Sequence, residues 1–207
     1  MLQFYMTPGS CSTGIHILLE ELELPFAVHL VNLPAGDQHS AAFRTLNPKG
    51  TIPVLVVKDG PVLTEFTAIA WWLGKRHPKA GLIPEGVSEQ AALLDSLSYI
   101  VGTLHQQAFT RVFVPERYSL REEDRASIEA QGRQMATEGF ALIAEQLPEE
   151  GGYLFQRFTI ADAALFYVEF WADRIGLTLP APCRGHYQRM LTRPVVRRVL
   201  QEEGYRV

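Results

Sequence analysis

Through the first 80 residues, apolar positions alternate with polar ones, then recur every three or four places, then alternate again. Leu2-Gln3-Phe4-Tyr5 reads as a short strand. From about Cys11 to Glu23, Ile15, Leu18, Leu19 and Leu22 fall on one side of a helix. PFAVHLVNL, residues 25–33, alternates like a second strand. AAFRTL, residues 41–46, is a short helix after the loop PAGDQHS. TIPVLVV and PVLT are two strands flanking Lys58-Asp59-Gly60, a hairpin signal. EFTAIAWWLGKRH is a helix that Pro78 ends. The order strand, helix, strand, helix, strand, strand, helix predicts one α/β layer domain over residues 1–79.

The character then changes. PKAGLIPEGVSE is rich in Pro, Gly and charge, which sets a linker at residues 80–87. Residues 88–207 read as all-helical. From Ser88 to about Phe113, Leu93, Leu97, Ile100, Val101, Leu104 and Ala108 recur at helical spacing. Residues from about Leu120 to Leu147 form a long charged amphipathic helix. Thr159-Ile160-Ala161-Asp162 is a capping box: Thr159 serves the Asp162 amide and Asp162 reaches back to the Thr159 amide. The run after it is apolar nearly all round, which predicts a central, buried helix. Two shorter helices follow, near Cys183–Leu191 and Val195–Glu202.

Composition narrows the class. The 207 residues are 47% hydrophobic and 20% charged, with net charge −4. That balance gives no general reason to bind nucleic acid or an anionic membrane. No run approaches the length of a membrane span. The start, MLQFYMTPGS, lacks a basic region and a long apolar stretch, so a cytoplasmic location is expected. The two cysteines form no disulfide framework, and the six histidines show no close pair at ligand spacing. No metal site is expected.

Cys11 stands where the first strand gives way to the first helix. A helix start offers unpaired amides and the positive end of the dipole, both of which favour a thiolate. The dipole supplies roughly 0.3–2 kcal/mol, enough to lower a thiol pKa of ~8.5 by up to ~1.5 units. A free cysteine is more often a small buried hydrophobe. Polar neighbours Ser10 and Ser12, and the place at a junction, favour a functional thiol here. Gly14 stands where a dithiol motif has its second cysteine, and Cys183 lies in the helical half with no evident chemical duty. Redox chemistry at Cys11 therefore calls for an external, glutathione-like thiol.

Two further segments suit a thiol peptide. Ile52 precedes Pro53, which biases it to extended backbone able to pair with a ligand peptide; an ordinary trans proline at a strand start is the competing reading. Glu65 can hold an ammonium group, and the amides of Phe66 and Thr67 a carboxylate; simple capping by Thr64 is the alternative.

YMTPGSCSTGIHILLEE, NPKGTIPVL, LTEFTAIAWWL, TIADAALF and RPVVRRVLQEEG, in this order, resemble the cytosolic glutathione S-transferase superfamily, most closely the bacterial beta class. The resemblance spans essentially the whole chain. It implies a thioredoxin-like N-terminal domain with a cis Pro53, an all-helical C-terminal domain and a homodimer. It places Cys11 beside the glutathione sulfur, with Ser12 adjoining. Ile52 and Pro53 would take the cysteinyl unit, and Glu65 and Phe66 the γ-glutamyl end. His105 matches an active-site histidine, and its neutral imidazole would donate to a thiolate or accept a thiol proton.

Tyr5, Phe109, Phe113, Tyr167 and Trp171 are the expected walls for an apolar acceptor. The chain departs from the pattern in LPAGDQHS, which lacks a basic residue for the glycine carboxylate and offers Gln38 or His39 instead. Gln106 replaces a common lysine, and Phe66 a small or polar residue.

The implied activity is detoxifying conjugation of glutathione to small hydrophobic electrophiles. Thiol–disulfide exchange or reductive dehalogenation through Cys11 is the alternative. A non-catalytic binding protein of the same fold is the third reading.

Overall fold

A computed structural model describes residues 1–150 and 152–206. By its contacts the chain forms two units, one of Met1–Ile83 with the segment from Leu191 on, the other Pro84–Met190. The division falls inside the stretch read as a linker. The last helix, read from the sequence with the helical half, groups with the first unit.

The first unit holds β1 (Leu2–Met6), α1 (Ser12–Glu21), β2 (Phe26–Leu30), α2 (Ala41–Leu46), β3 (Val54–Val56), β4 (Val62–Leu63) and α3 (Phe66–Arg76). The strands form one sheet in the order β2-β1-β3-β4. β1 and β2 run parallel, which requires a crossover, and α1 supplies it. β3 is antiparallel to β1 and to β4. This sheet with its helices is thioredoxin-like.

Side chains of β1 alternate between faces. Phe4 meets His16 of α1 and Phe26 of β2. Tyr5 instead joins Val31, Phe43 and Val54. The strand expected from Thr51 begins only at Val54, because the Ile52–Pro53 bond is cis and proline has no N–H for a ladder. The final helix, α9 (Pro194–Glu202, so numbered after α4–α8 of the second unit), packs on α1 and buries Val196, Val199 and Leu200.

The second unit carries α4 (Val87–Ser98), a wider helical stretch over Tyr99–Phe109, α5 (Thr110–Phe113), α6 (Arg125–Ala144), α7 (Ile160–Arg174) and α8 (Ala181–Thr192). The sequence predicts one regular helix through Phe113. In the structure the backbone widens into i→i−5 hydrogen bonding, with the Thr110 N–H reaching the His105 carbonyl. The widening turns Val101 to a half-buried position while Ile100, Leu104, Ala108 and Phe109 stay buried. α6 approaches this stretch closely through Gly132 and Gly139. A methyl group on Gly132 would press into the Ala108 carbonyl, and one on Gly139 into Leu104.

α7 is buried from Ile160 to Ala172, as its apolar circumference predicts. Asp162 accepts from the Thr159 N–H at 2.7 Å, the Thr159 hydroxyl at 2.7 Å and the Leu154 N–H at 2.9 Å. One helical face further on, Glu169 lies 2.7 Å from His186 Nδ1, and His186 Nε2 lies 3.3 Å from Asp162. All three side chains are fully buried, and charges survive there only in such company. Burial alone would push His186 down, but Glu169 and Asp162 outweigh it and hold the imidazolium up to about 10. Burial also pushes the Glu169 carboxyl up to about 7 against the pull of His186. Cys183 donates to the Phe140 carbonyl at 3.5 Å, a thiol spent on packing.

Both raised groups bind more protons in the folded chain than in the unfolded one. Their stabilisation is complete below the unfolded values and fades as pH climbs through about 7 for Glu169 and about 10 for His186. The melting temperature should therefore fall from pH 6.5 to pH 10 more steeply in the native chain than in His186→Gln. The substitution itself should cost about 3–5 kcal/mol at neutral pH, read by denaturant titration.

Candidate functional site

Thr7-Pro8-Gly9-Ser10 joins β1 to α1 and sets Cys11 at the N-cap. The Ser12 hydroxyl accepts from the Thr7 N–H at 3.1 Å and donates to the Thr7 carbonyl. The Ser12 N–H donates to the Ser10 hydroxyl, and the Thr13 N–H to the Ser10 carbonyl. The amides expected to await an anion are thus largely engaged in the turn. The Ser12 side chain, expected beside glutathione, holds the turn together.

Cys11 is 6% exposed, and its sulfur donates to the Ile52 carbonyl at 3.8 Å. Burial pushes the thiol up to about 12, the amides of Cys11 and Ser12 pull the other way, and the Glu65 charge adds to the rise. This reverses the expected thiolate. A dipole worth at most ~1.5 units cannot offset the dehydration of an anion in a dry position.

The turn is gripped from the far end of the chain. Glu203, just beyond α9, accepts from the Gly9 N–H at 2.7 Å, the Thr13 hydroxyl at 2.7 Å and His16 Nδ1 at 2.9 Å. Gly9 has φ 70°, and a Cβ there would overlap the Tyr205 hydroxyl. The positive φ favours glycine at residue 9, and any side chain there would also have to displace the Tyr205 ring.

Beside Cys11, Ile52 uses its carbonyl for the thiol. Its N–H has no partner among the described residues. Among the described residues, the N-cap of α3 makes no side-chain capping hydrogen bond. Glu65 occupies the N-cap, and its carboxylate turns to Lys49 at 2.5 Å, while the Thr64 hydroxyl accepts from the same Lys49 at 3.0 Å. Thr64 therefore does not cap, and Phe66 is buried at the first helical position. Sequence reasoning missed Lys49. Its signal was a cation in NPKG, directly before Ile52-Pro53. In the loop expected to substitute for a basic residue, His39 is exposed beside Arg44 at 3.5 Å, and Gln38 Oε1 is buried without a partner among the described residues.

Tyr5 stacks on His29 with ring centres 4.5 Å apart and meets Phe43 edge-on, which engages it in the sheet of the first unit. The other expected wall residues form one cluster in the second unit. His105 lies 4.9 Å from the Trp171 ring and 5.6 Å from that of Tyr167. Trp171 also meets Phe109 at 5.4 Å and Phe113 at 5.5 Å. Phe109 and Tyr167 are fully buried, so they back the cluster, and Phe113 presents its outer surface. His105 Nδ1 lies 3.2 Å from the Tyr167 hydroxyl, and burial pushes this imidazole down to about 4. A neutral ring that accepts from Tyr167 through Nδ1 carries its proton on Nε2, where it serves as a donor.

Residues 9–76 match the family model described as glutathione S-transferase, N-terminal domain, and residues 120–201 the corresponding C-terminal domain. The chain is 34% identical to glutathione S-transferase GstA of Escherichia coli O157:H7, over 98% of this chain and 99% of that one. A Sulfitobacter glutathione transferase homologue, solved with bound glutathione, superposes with TM-score 0.88 at 27% identity, covering 98% of each chain. The beta-class glutathione S-transferase of Sphingomonas chungbukensis superposes with TM-score 0.84 at 27% identity, also covering 98% of each.

A thiol held near 12 reacts slowly. Alkylation of Cys11 by iodoacetamide in the folded protein should run at least about a hundredfold slower than that of a free thiol at pH 7.5. The rate should keep climbing past pH 9. A plateau below pH 8, followed by peptide mass spectrometry, would restore the thiolate.

Proposed function

Because this chain belongs to the glutathione S-transferase family and is like its bacterial beta class, we propose that it joins the glutathione thiolate to small apolar electrophiles. The observation that carries this reading is the protonated Cys11 thiol set beside an Ile52 N–H that has no partner among the described residues. A neutral thiol is a poor nucleophile and a serviceable hydrogen-bond donor. The nucleophile is then the sulfur of glutathione.

In this reading the cysteinyl unit pairs with Ile52 next to Pro53. The γ-glutamyl ammonium takes Glu65 from Lys49, and its carboxylate meets the start of α3 at Phe66 and Thr67. The glutathione thiol releases its proton to solvent. The Cys11 S–H, supported by the Ser12 amide, donates to the resulting anion. The family resemblance alone gives His105 a part in the reaction; with its imidazole near 4 it would act as a neutral donor, being too weak a base to remove a thiol proton efficiently. The thiolate forms a C–S bond with the electrophile as the leaving group departs with the electron pair. Phe113 and Trp171 contact the apolar acceptor, Phe109 and Tyr167 back them, and Tyr5 underlies the sheet. Family resemblance is what supports a homodimer, a detoxifying role and a cytoplasmic setting.

The rival is exchange through Cys11 as nucleophile, favoured by the approach of its sulfur to the Ile52 edge. Cys11→Ala separates the two: conjugation of a chlorodinitrobenzene should stay within about tenfold of the native rate. A fall beyond about a hundredfold, with glutathione binding intact by calorimetry, would transfer the chemistry to Cys11. Glu65→Gln should raise KM for glutathione about tenfold with little change in kcat, as expected for a residue that binds ground and transition states alike. No glutathione binding at millimolar concentration would leave only a non-catalytic protein of this fold.

A further inference from the structure

The sheet of the first unit ends at β4 on one side and at β2 on the other. An open margin invites another strand, and natural sheets blunt it with short strands, prolines, bulges or charges. β4 is blunted: it is two residues long and follows Pro61. β2 is not. Phe26-Ala27-Val28-His29-Leu30 is five residues long, with no proline, lysine, arginine or carboxylate. No strand lies beyond it among the described residues.

The register fixes what this margin carries. The Val31 N–H donates to the Met6 carbonyl at 2.9 Å, and Met6 pairs with Leu30. In a parallel ladder each residue aims its N–H and C=O to one side, and its neighbours aim theirs to the other. Ala27, His29 and Val31 therefore face β1, while Val28 and Leu30 turn their main-chain groups outward. Their side chains stand on the same face of the sheet as Phe4 and Met6, toward α1. Val28 is 45% exposed and Leu30 70%. The same two residues thus offer open hydrogen-bonding groups and uncovered apolar side chains.

A cleft of about 610 Å³ runs beside this face, between α1, β2 and the end of α9. That volume falls within the roughly 300–1,000 Å³ typical of binding cavities. Leu24, Pro25 and Phe26 join Val28 and Leu30 as apolar walls. Glu20, Glu202 and Glu203 supply charge. Arg198 offsets Glu20, while among the described residues no lysine or arginine pairs with Glu202 or Glu203. The sum stays negative whichever charge His16 carries. Glu203 is buried and taken up by Gly9, Thr13 and His16, so the charge on offer is that of Glu202, which is about half exposed.

We propose that β2 is a docking edge for an extended peptide of a partner protein. The peptide adds as a further strand, bonds to the outward groups of Val28 and Leu30, sets alternate apolar side chains in the cleft and brings a lysine or arginine to Glu202. The main-chain bonds fix register, the apolar walls select side chains, and the carboxylate selects the sign of the partner. None of the residues assigned to glutathione belongs to this edge, so it stands or falls apart from that reading. The alternation of FAVHL marked a strand in the sequence, but its place at the margin is set by the order of the whole sheet.

The test uses the full chain and the capped peptide Thr-Val-Thr-Lys-Thr-Val-Thr. This probe reads the same in both directions, so its two valines and its lysine meet the cleft in either strand sense. It should bind with a Kd below about 1 mM by calorimetry. At saturation, exchange of the Val28 and Leu30 amides, followed by NMR, should slow at least about tenfold, with less change at Ala27 and His29, which already bond to β1. Leu30→Lys, at an exposed position, should weaken the peptide at least about tenfold while the protein melts near the native temperature. Glu202→Gln should weaken it about threefold or more and narrow the preference over the same peptide with glutamate for lysine. Three results would overturn the proposal: no binding at about 1 mM peptide, binding that leaves Val28 and Leu30 exchanging as before, or equal affinity in Leu30→Lys and the native chain. Protection of these amides that grows with protein concentration in the absence of peptide would overturn it too, and would give the edge to a second copy of the chain.

Discussion

The thiol of Cys11 donates to the carbonyl of Ile52 in a position too dry to carry an anion. Dehydration acts with opposite sign on acids and bases. It lifts this thiol to about 12 and lowers the His105 imidazole to about 4, so both are uncharged at neutral pH. Each is left with a single polar hydrogen. The charged groups of the candidate ligand site, Lys49 and Glu65, are instead well exposed and pair with each other, where exchange for a charged ligand costs little desolvation.

Much of the architecture was legible because its causes are local. The apolar circumference of α7 required burial whatever surrounded it, and Thr159 with Asp162 marked its start. Alternation in Phe4 and Tyr5 assigned the faces of β1. The features that resisted reading depend on distant partners or on small differences between large terms. The spacing of Leu97, Leu104 and Ala108 suits a regular helix, and only packing against Gly132 and Gly139 of α6 accompanies the widened backbone that moves Val101 aside. The charge state of Cys11 turned on water exclusion, which a sequence position does not report. Ser12 looked available until the turn claimed its hydroxyl. Lys49 was visible as a cation, but its reach to Glu65 depends on how two loops meet.

The candidate site residues divide in the same way. Cys11, Ile52 and Glu65 were found through the chemistry of their own neighbourhoods and lie around the same loops of the first unit. His105, Phe109, Phe113, Tyr167 and Trp171 were found as a set through resemblance, and ring contacts in the second unit join them. Periodicity alone could not have separated Phe109 and Tyr167, which are sealed, from Phe113, which is not.

The grip of Glu203 on Gly9 spans 194 residues. A ribosome delivers the β1–α1 turn early and its anchoring carboxylate almost two hundred peptide bonds later. Through most of translation this turn has its local partners and the Ile52 carbonyl but not Glu203, and a helical unit that can gather its own contacts emerges first. The turn that sets Cys11 thus lacks its far anchor until the residues after α9 have been made.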